Sequence, residues 1–170
     1  MYMVSWTKTL KESFKEVARR VNLNGFNFVD LGAGKGKVVL LARELKILGS
    51  KNERYAGIDF ESTLIEVAKS NSFKLFGDEG FFLNVDVYDI EWEEFSQKLL
   101  VYLYNPFDNL VLTKVLERIK DKQVVVIYVN PVHSQTFQAK GYYLLYEKIE
   151  WHANLNFSIL TNSPKLLERS

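Results

Sequence analysis

The 170-residue chain contains no cysteine. That excludes disulfides, thiolate zinc sites, a cysteine nucleophile and the cysteine-ligated iron–sulfur clusters used in radical chemistry. Charge of one sign is also missing: 22 Lys and Arg against 21 Asp and Glu leave a net charge of +1. Composition therefore provides no global electrostatic footprint for nucleic acid or an anionic membrane, and any such partner has to be met by a local patch. The longest apolar runs, such as 124–129, are far too short to span a bilayer. The first 21 residues mix charge with apolar side chains and lack the continuous apolar core of a secretion signal. These absences make a cytoplasmic, soluble protein the expectation. No internal repeat, low-complexity tract or Pro/Gly-rich linker offers a place to divide the chain. With 47% hydrophobic residues it is long enough for one sizeable core and short for two.

Hydrophobic periodicity supplies the elements. Leu10, Phe14, Val17, Ala18 and Val21 recur at helical spacing, which predicts an amphipathic helix over 7–21, ended by Asn24 and Gly25. This divides the chain into an N-terminal helical segment, 1–22, and a single domain, 23–170. Strands are predicted over 26–31, 54–59, 81–87, 99–104 and 123–129. Helices fall between them, over 35–48, 61–71, 91–97 and 109–120. Short apolar strands alternating with helices indicate a parallel sheet covered on both faces, with ligands at the carboxyl ends of the strands. The alternation then breaks: 142–149 and 154–160 read as two strands with only 150–153 between them, an antiparallel hairpin. The expected fold is α/β, a doubly wound and mostly parallel seven-stranded sheet ending in that hairpin.

The strongest local signal is Asp30-Leu31-Gly32-Ala33-Gly34-Lys35-Gly36, a strand ending in an acid and running through alternate glycines into a helix. Glycine lets the backbone turn sharply and lets a ligand lie against it without meeting a Cβ. A bare structural turn does not need three glycines, each of which costs backbone entropy. The stretch departs from the dinucleotide fingerprint G-x-G-x-x-G, because the residue after Gly36 is Lys37.

This D-x-G-x-G-x-G stretch resembles motif I of the class I, Rossmann-like S-adenosylmethionine-dependent methyltransferases, and the resemblance runs from about Asn24 onward. It implies S-adenosylmethionine as cofactor, with Gly32, Ala33, Gly34 and Gly36 forming its turn and Asp30 orienting the methionine amino group directly or through water. Lys35 and Lys37 are read as solvent-exposed helix residues. At the end of the second strand, Asp59 followed by Phe60 matches the position whose carboxylate accepts the ribose hydroxyls, a feature nicotinamide enzymes share. Asn84-Val85-Asp86-Val87 resembles the family's third-strand position that accepts the adenine amino group, which adds Asp86 and Val87. Each acid has a plainer alternative: Asp59 as a helix cap, Asp86 as one of the solvated acids in 78–94, a stretch without Lys or Arg.

The fourth strand ends in Tyr104-Asn105-Pro106-Phe107-Asp108. This is similar to the [D/N/S]-P-P-[Y/F/W] motif of amino-methyltransferases, in which a side-chain oxygen and a backbone carbonyl hold the nitrogen and an aromatic ring packs beside it. Y-N-P-F also resembles the same segment in a small set of bacterial methyltransferases. Aligned on Pro106 and Phe107 the first motif position becomes Tyr104, and aligned on Asn105 one proline is missing, so an amine acceptor is only one of the substrates this segment allows. The resemblance makes Tyr104, Asn105, Pro106 and Phe107 the catalytic candidates. An ordinary strand-to-helix turn with Asn-Pro as helix starter is the alternative.

Methyl transfer needs chiefly alignment, since the sulfonium is a good leaving group and the displacement is in line. A base is required only for a nucleophile that arrives protonated, and Tyr104 and His133 are the candidates near the right strand ends. His152, in the presumed hairpin turn, is read as structural. Lys8, Lys11, Lys15 and Arg19, with Arg20, repeat at helical spacing and can form a basic stripe, diluted by Glu12 and Glu16. Tyr2 and Trp6 are candidates for a lid over the cofactor. The expected partner is a methyl acceptor, protein or small molecule rather than nucleic acid, with no metal and no membrane. The rival readings are a cofactor-binding protein without catalysis and a nicotinamide-dependent oxidoreductase.

Overall fold

The computed structural model describes residues 5–49, 53–104 and 107–167. Seven strands form one sheet in the order β3-β2-β1-β4-β5-β7-β6. They are β1 (Phe26–Leu31), β2 (Tyr55–Asp59), β3 (Phe81–Asn84), β4 (Lys98–Tyr104), β5 (Gln123–Val129), β6 (Tyr143–Lys148) and β7 (Phe157–Thr161). The first five pair in parallel, and β7 runs antiparallel between β5 and β6. This is the doubly wound, mostly parallel sheet with a C-terminal antiparallel hairpin that the sequence predicts.

The continuous apolar strands are explained by two cores, one on each face. Alternate residues of β1, β4 and β5 divide between them: Phe28, Leu100 and Ile127 point to one side, Val29, Val101 and Val126 to the other. On the first side lie α1 (Ser5–Arg20), α2 (Lys37–Glu44) and α3 (Ser62–Phe76), through Phe14, Val39 and Ile65. Opposite them α4 (Asn109–Arg118) and α5 (Ser134–Ala139) bring Leu112 and Phe137. Among the described residues no helix is long and apolar enough to cross a membrane.

Several predicted boundaries move, each for a local reason. Helix α2 is shorter at both ends than 35–48, because Gly36 at φ 83° and Lys46 at φ 50° are left-handed and cannot continue a right-handed helix. Lys35 therefore belongs to the turn. Helix α3 passes residue 71 and stops at Gly77, whose left-handed backbone (φ 78°) returns its N–H to the carbonyl of Phe73. Strand β3 ends at Asn84 and not at 87, because the Asp86 carboxylate accepts the N–H of Tyr88 at 2.9 Å and opens a 3-10 turn, Val87–Asp89. The helix expected over 91–97 is a single 3-10 turn, Trp92–Glu94. Helix α5 was not predicted; it is short, and Phe137 anchors it between Tyr128 and Tyr142 at ring distances of 5.2 and 5.3 Å. In the last strand pair the second member begins at Phe157, not 154, and a 3-10 turn, Ala153–Leu155, occupies the connection. On α1 the buried stripe consists of Leu10, Phe14 and Val17 joined by Thr9 and Ser13 and continued by Val21 just past its end, while Ala18 is exposed.

Candidate functional site

The strand order reverses between β1 and β4, the switch point where a doubly wound sheet opens a crevice at its carboxyl end. The glycine turn leaves β1 there. Its conformation is set by glycine at three left-handed positions, Gly32 (φ 85°), Gly34 (φ 53°) and Gly36 (φ 83°). The roles of the three differ. Gly32 is exposed and borders a cleft, whereas Gly36 is buried, with no room for a Cβ beside the Phe82 ring (2.9 Å) and Ala68 (3.0 Å). Ala33 is buried against Gly57 of β2, so it acts in packing.

Four N–H groups of the turn are already committed. Gly32 and Ala33 both donate to the carbonyl of Ile58 at 2.9 Å, and Gly36 donates to that of Ala33 at 2.9 Å. Gly34 donates to Asp59 Oδ2, also at 2.9 Å. The other oxygen of Asp59 accepts the N–H of Glu61 at 2.9 Å, and Asn84 Nδ2 holds the Asp59 carbonyl at 3.1 Å. The Oδ1 of Asp59 thus closes a turn onto Glu61, the residue before α3, without capping the helix, while its Oδ2 ties the ends of β1 and β2 together.

Beside it lies a cleft of about 250 Å³ that brings together Gly32, Asp59, Phe60, Asp86, Val87 and Phe107. Sequence reasoning named all six. It missed Val85, Tyr88 and Val111, which also line the cleft and carry no signal beyond being apolar or aromatic near a strand end. Phe60 is 76% exposed, an aromatic ring left open at the mouth. Asp86 is exposed and caps the 3-10 turn through Oδ1. A larger cleft of about 750 Å³ sits at the opposite, amino end of β2 and β3, where Arg43 and Asp78 pair with each other at 2.6 Å.

Asp30 is 3% exposed, flanked in the sheet by Gly57 and Tyr102. Burial, and then the negative charge of Asp59, push its carboxyl up to about 8. Among the described residues neither acid forms an ion pair. One acid held protonated by burial and a second without a protein cation, at the carboxyl end of a sheet, suit a ligand whose positive charge would ionise the first and whose hydroxyls would donate to the second.

On the far side of the switch point, Tyr104 ends β4 and its hydroxyl donates to Asn154 Oδ1 at 2.7 Å. Burial pushes that phenol up, so it stays protonated and serves as a donor. Asn105 and Pro106 lie outside the described residues, as do Tyr2 and the side chain of Trp6. His133 stands at the start of α5, its backbone N–H bonded to the hydroxyl of Tyr128 at 3.1 Å. His152 caps the turn Ala153–Leu155 by accepting the N–H of Asn154 on Nδ1 at 3.2 Å. Lys8, Lys11, Lys15 and Arg19 share the exposed face of α1, and Arg19 and Arg20 pair with Glu16. Among the described residues no group of three or more His, Asp or Glu is placed to hold a metal.

A methyltransferase-domain family profile matches residues 22–164. No curated protein matches the chain in sequence. Several solved structures share the fold. One is magnesium protoporphyrin IX methyltransferase from Synechocystis PCC 6803 with bound S-adenosylmethionine, 11% identical at a TM-score of 0.65, covering 93% of this chain and 79% of that one. The ribosomal protein L11 methylase of Lactobacillus delbrueckii subsp. bulgaricus is 13% identical at 0.60, covering 91% and 77%. An rRNA methylase of Streptococcus thermophilus is 10% identical at 0.58, covering 88% and 93%.

Proposed function

The chain belongs to the methyltransferase-domain family, and on that premise we propose that it moves a methyl group from S-adenosylmethionine to a nucleophile held beside the end of β4. The observation that carries this reading is the state of the glycine turn. A pyrophosphate needs free backbone N–H groups at such a turn. Here those of Gly32, Ala33, Gly34 and Gly36 are taken, the third of them by the Asp59 carboxylate, whose negative charge would oppose a phosphate at that place. That favours a nucleoside ligand without phosphate and with positive charge.

In this reading Asp59 accepts the ribose hydroxyls, Phe60 and Val87 enclose the base, Asp86 accepts its amino group, and Asp30 faces the methionine ammonium across Gly32 and Gly34. When bound, S-adenosylmethionine supplies an electrophilic methyl group. The protein's part is to align it, with Tyr104, Asn105, Pro106 and Phe107 holding the acceptor. The similarity of that segment to the amino-methyltransferase motif favours an amine nitrogen, on a protein lysine or a small molecule. The test is calorimetric titration with S-adenosylhomocysteine and, separately, NADH. Micromolar binding of the first alone is expected, and binding of NADH alone would overturn the proposal.

The buried acid gives this reading a pH dependence. Asp30 titrates near 8 in the folded chain and near 3.8 in an ordinary environment. Between those values the folded state binds the extra proton, so the stability this group contributes is complete below about pH 4 and is lost as pH rises toward 8. The slope approaches ~1.4 kcal/mol per pH unit, since one pKa unit corresponds to that energy. Thermal denaturation of the ligand-free protein from pH 5 to 8 is expected to show this decline, and Asp30→Asn to flatten it. A cationic ligand favours the charged carboxylate, so the affinity for S-adenosylmethionine should rise with pH up to about 8, with proton release on binding. Titration in buffers of different ionisation heat measures that proton.

A further inference from the structure

We propose that the connection between β6 and β7, residues 149–156, is the acceptor-recognition element, with Trp151 and Ile149 selecting an acceptor whose nucleophile sits on an apolar, planar body without negative charge. The proposal rests on the methyltransferase reading above. Because β6 runs parallel to β5, this connection starts at the carboxyl end of the sheet, the end that holds the glycine turn. It then reaches back across the sheet. Strands β5 and β7 lie between β6 and β4, yet Asn154 meets the hydroxyl of Tyr104 at 2.7 Å. Midway, the carbonyl of Asn156 accepts the N–H of Asn130, just past β5, at 2.9 Å. The connection is therefore fastened to the residue that immediately precedes Asn105 and Pro106.

It is braced rather than loose. His152 Nδ1 accepts the N–H of Asn154 at 3.2 Å, Asn156 Oδ1 accepts that of Glu150 at 2.6 Å, and the turn Ala153–Leu155 packs on α1. On this braced segment Trp151 is 86% exposed and Ile149 74% exposed. A large indole held in water on an ordered segment is unfavourable unless it meets a partner, and its flat face suits a planar or cationic group. The charge adjoining the indole disfavours phosphate: Glu150 is its chain neighbour, and Lys148 is bound to Glu12 and Glu150. Asn154 is a positioning residue that holds the recognition segment against Tyr104. The transfer itself is unaltered: the acceptor's lone pair forms the bond to the methyl carbon, the carbon–sulfur pair goes to sulfur, and a nitrogen acceptor sheds its proton to water.

The experiment uses methyl-labelled S-adenosylmethionine with four arms: tyramine, tryptamine and phenethylamine; the small-molecule fraction of a cell extract; its protein; and its RNA. Label is expected in the amine, small-molecule or protein arms. There Trp151→Ala should lower transfer at least tenfold and Trp151→Phe restore most of it. Asn154→Ala and Tyr104→Phe should each lower turnover, and the double variant no further, since both remove one bond. S-adenosylhomocysteine affinity should stay within twofold in Trp151→Ala and Asn154→Ala. Unchanged transfer by Trp151→Ala, label in RNA alone, or binding of S-adenosylhomocysteine with label in no arm overturns the proposal. Failure of the wild type to bind S-adenosylhomocysteine overturns the underlying reading instead.

Discussion

Asp59→Ala is expected to lower the affinity for S-adenosylhomocysteine about a hundredfold or more. In the proposed site the carboxylate accepts two hydroxyl protons, and hydrogen bonds to a charged group contribute ~1.5–3 kcal/mol each. The substitution also frees the N–H groups of Gly34 and Glu61, each now held at 2.9 Å, so the turn loses the brace that joins β1 to β2. Two further effects separate ligand contact from disruption. Removing this charge takes away the second of the two influences that raise Asp30, so the pH at which the ligand-free protein loses stability should fall below about 8. Asp59→Asn has a single oxygen acceptor for these two N–H groups, so it should keep one of the two bonds and lose the other, costing less stability than Asp59→Ala while losing much of the affinity. Calorimetry and thermal denaturation on both variants measure the two parts. Wild-type affinity in Asp59→Ala would remove Asp59 from the site.

Gly36→Ala is expected to destabilise the fold by about 3 kcal/mol or more, from two additive causes. Its φ of 83° is left-handed, which costs an L-residue ~1–2 kcal/mol. The new Cβ would stand 2.9 Å from the Phe82 ring and 3.0 Å from the Ala68 Cβ, and overpacking a core costs ~1–3 kcal/mol. Phe82 is buried, so its ring can give way only by repacking its neighbours. For a chain of this length each kcal/mol lowers the melting temperature by about 2–4 °C, so a fall of roughly 10 °C is expected by differential scanning calorimetry. Gly34→Ala has open space around its Cβ and φ 53°, and should cost only the backbone part. Equal melting temperatures for the two variants would show that Gly36 is not a packing glycine.

These two glycines look alike in the chain and act differently in the fold. The alternation at 32, 34 and 36 was legible as a turn. What distinguishes Gly36 is the approach of Phe82 and Ala68, from β3 and α3, which no local pattern encodes. Asp86 shows the same limit from the other side: the acid was legible, but the strand expected to run through it to 87 stops at Asn84, because its carboxylate makes a 3-10 cap. Helix α5 escaped notice because six residues with one deep anchor, Phe137, hold too little periodicity. The Tyr104–Asn154 bond spans 50 residues, and neither partner marks the other.

By itself the sequence determined the sheet, its two covering layers, the antiparallel close and the crevice end, because apolar periodicity and glycine conformation are local properties that one segment expresses alone. Only the tertiary structure decided the state of the groups at that end. The commitment of the turn's N–H groups, the rise of Asp30 to about 8 and the fastening of the β6–β7 connection to β4 arise where distant segments meet. Desolvation and hydrogen-bond geometry depend on what surrounds a residue in space, and its neighbours in the chain do not set that.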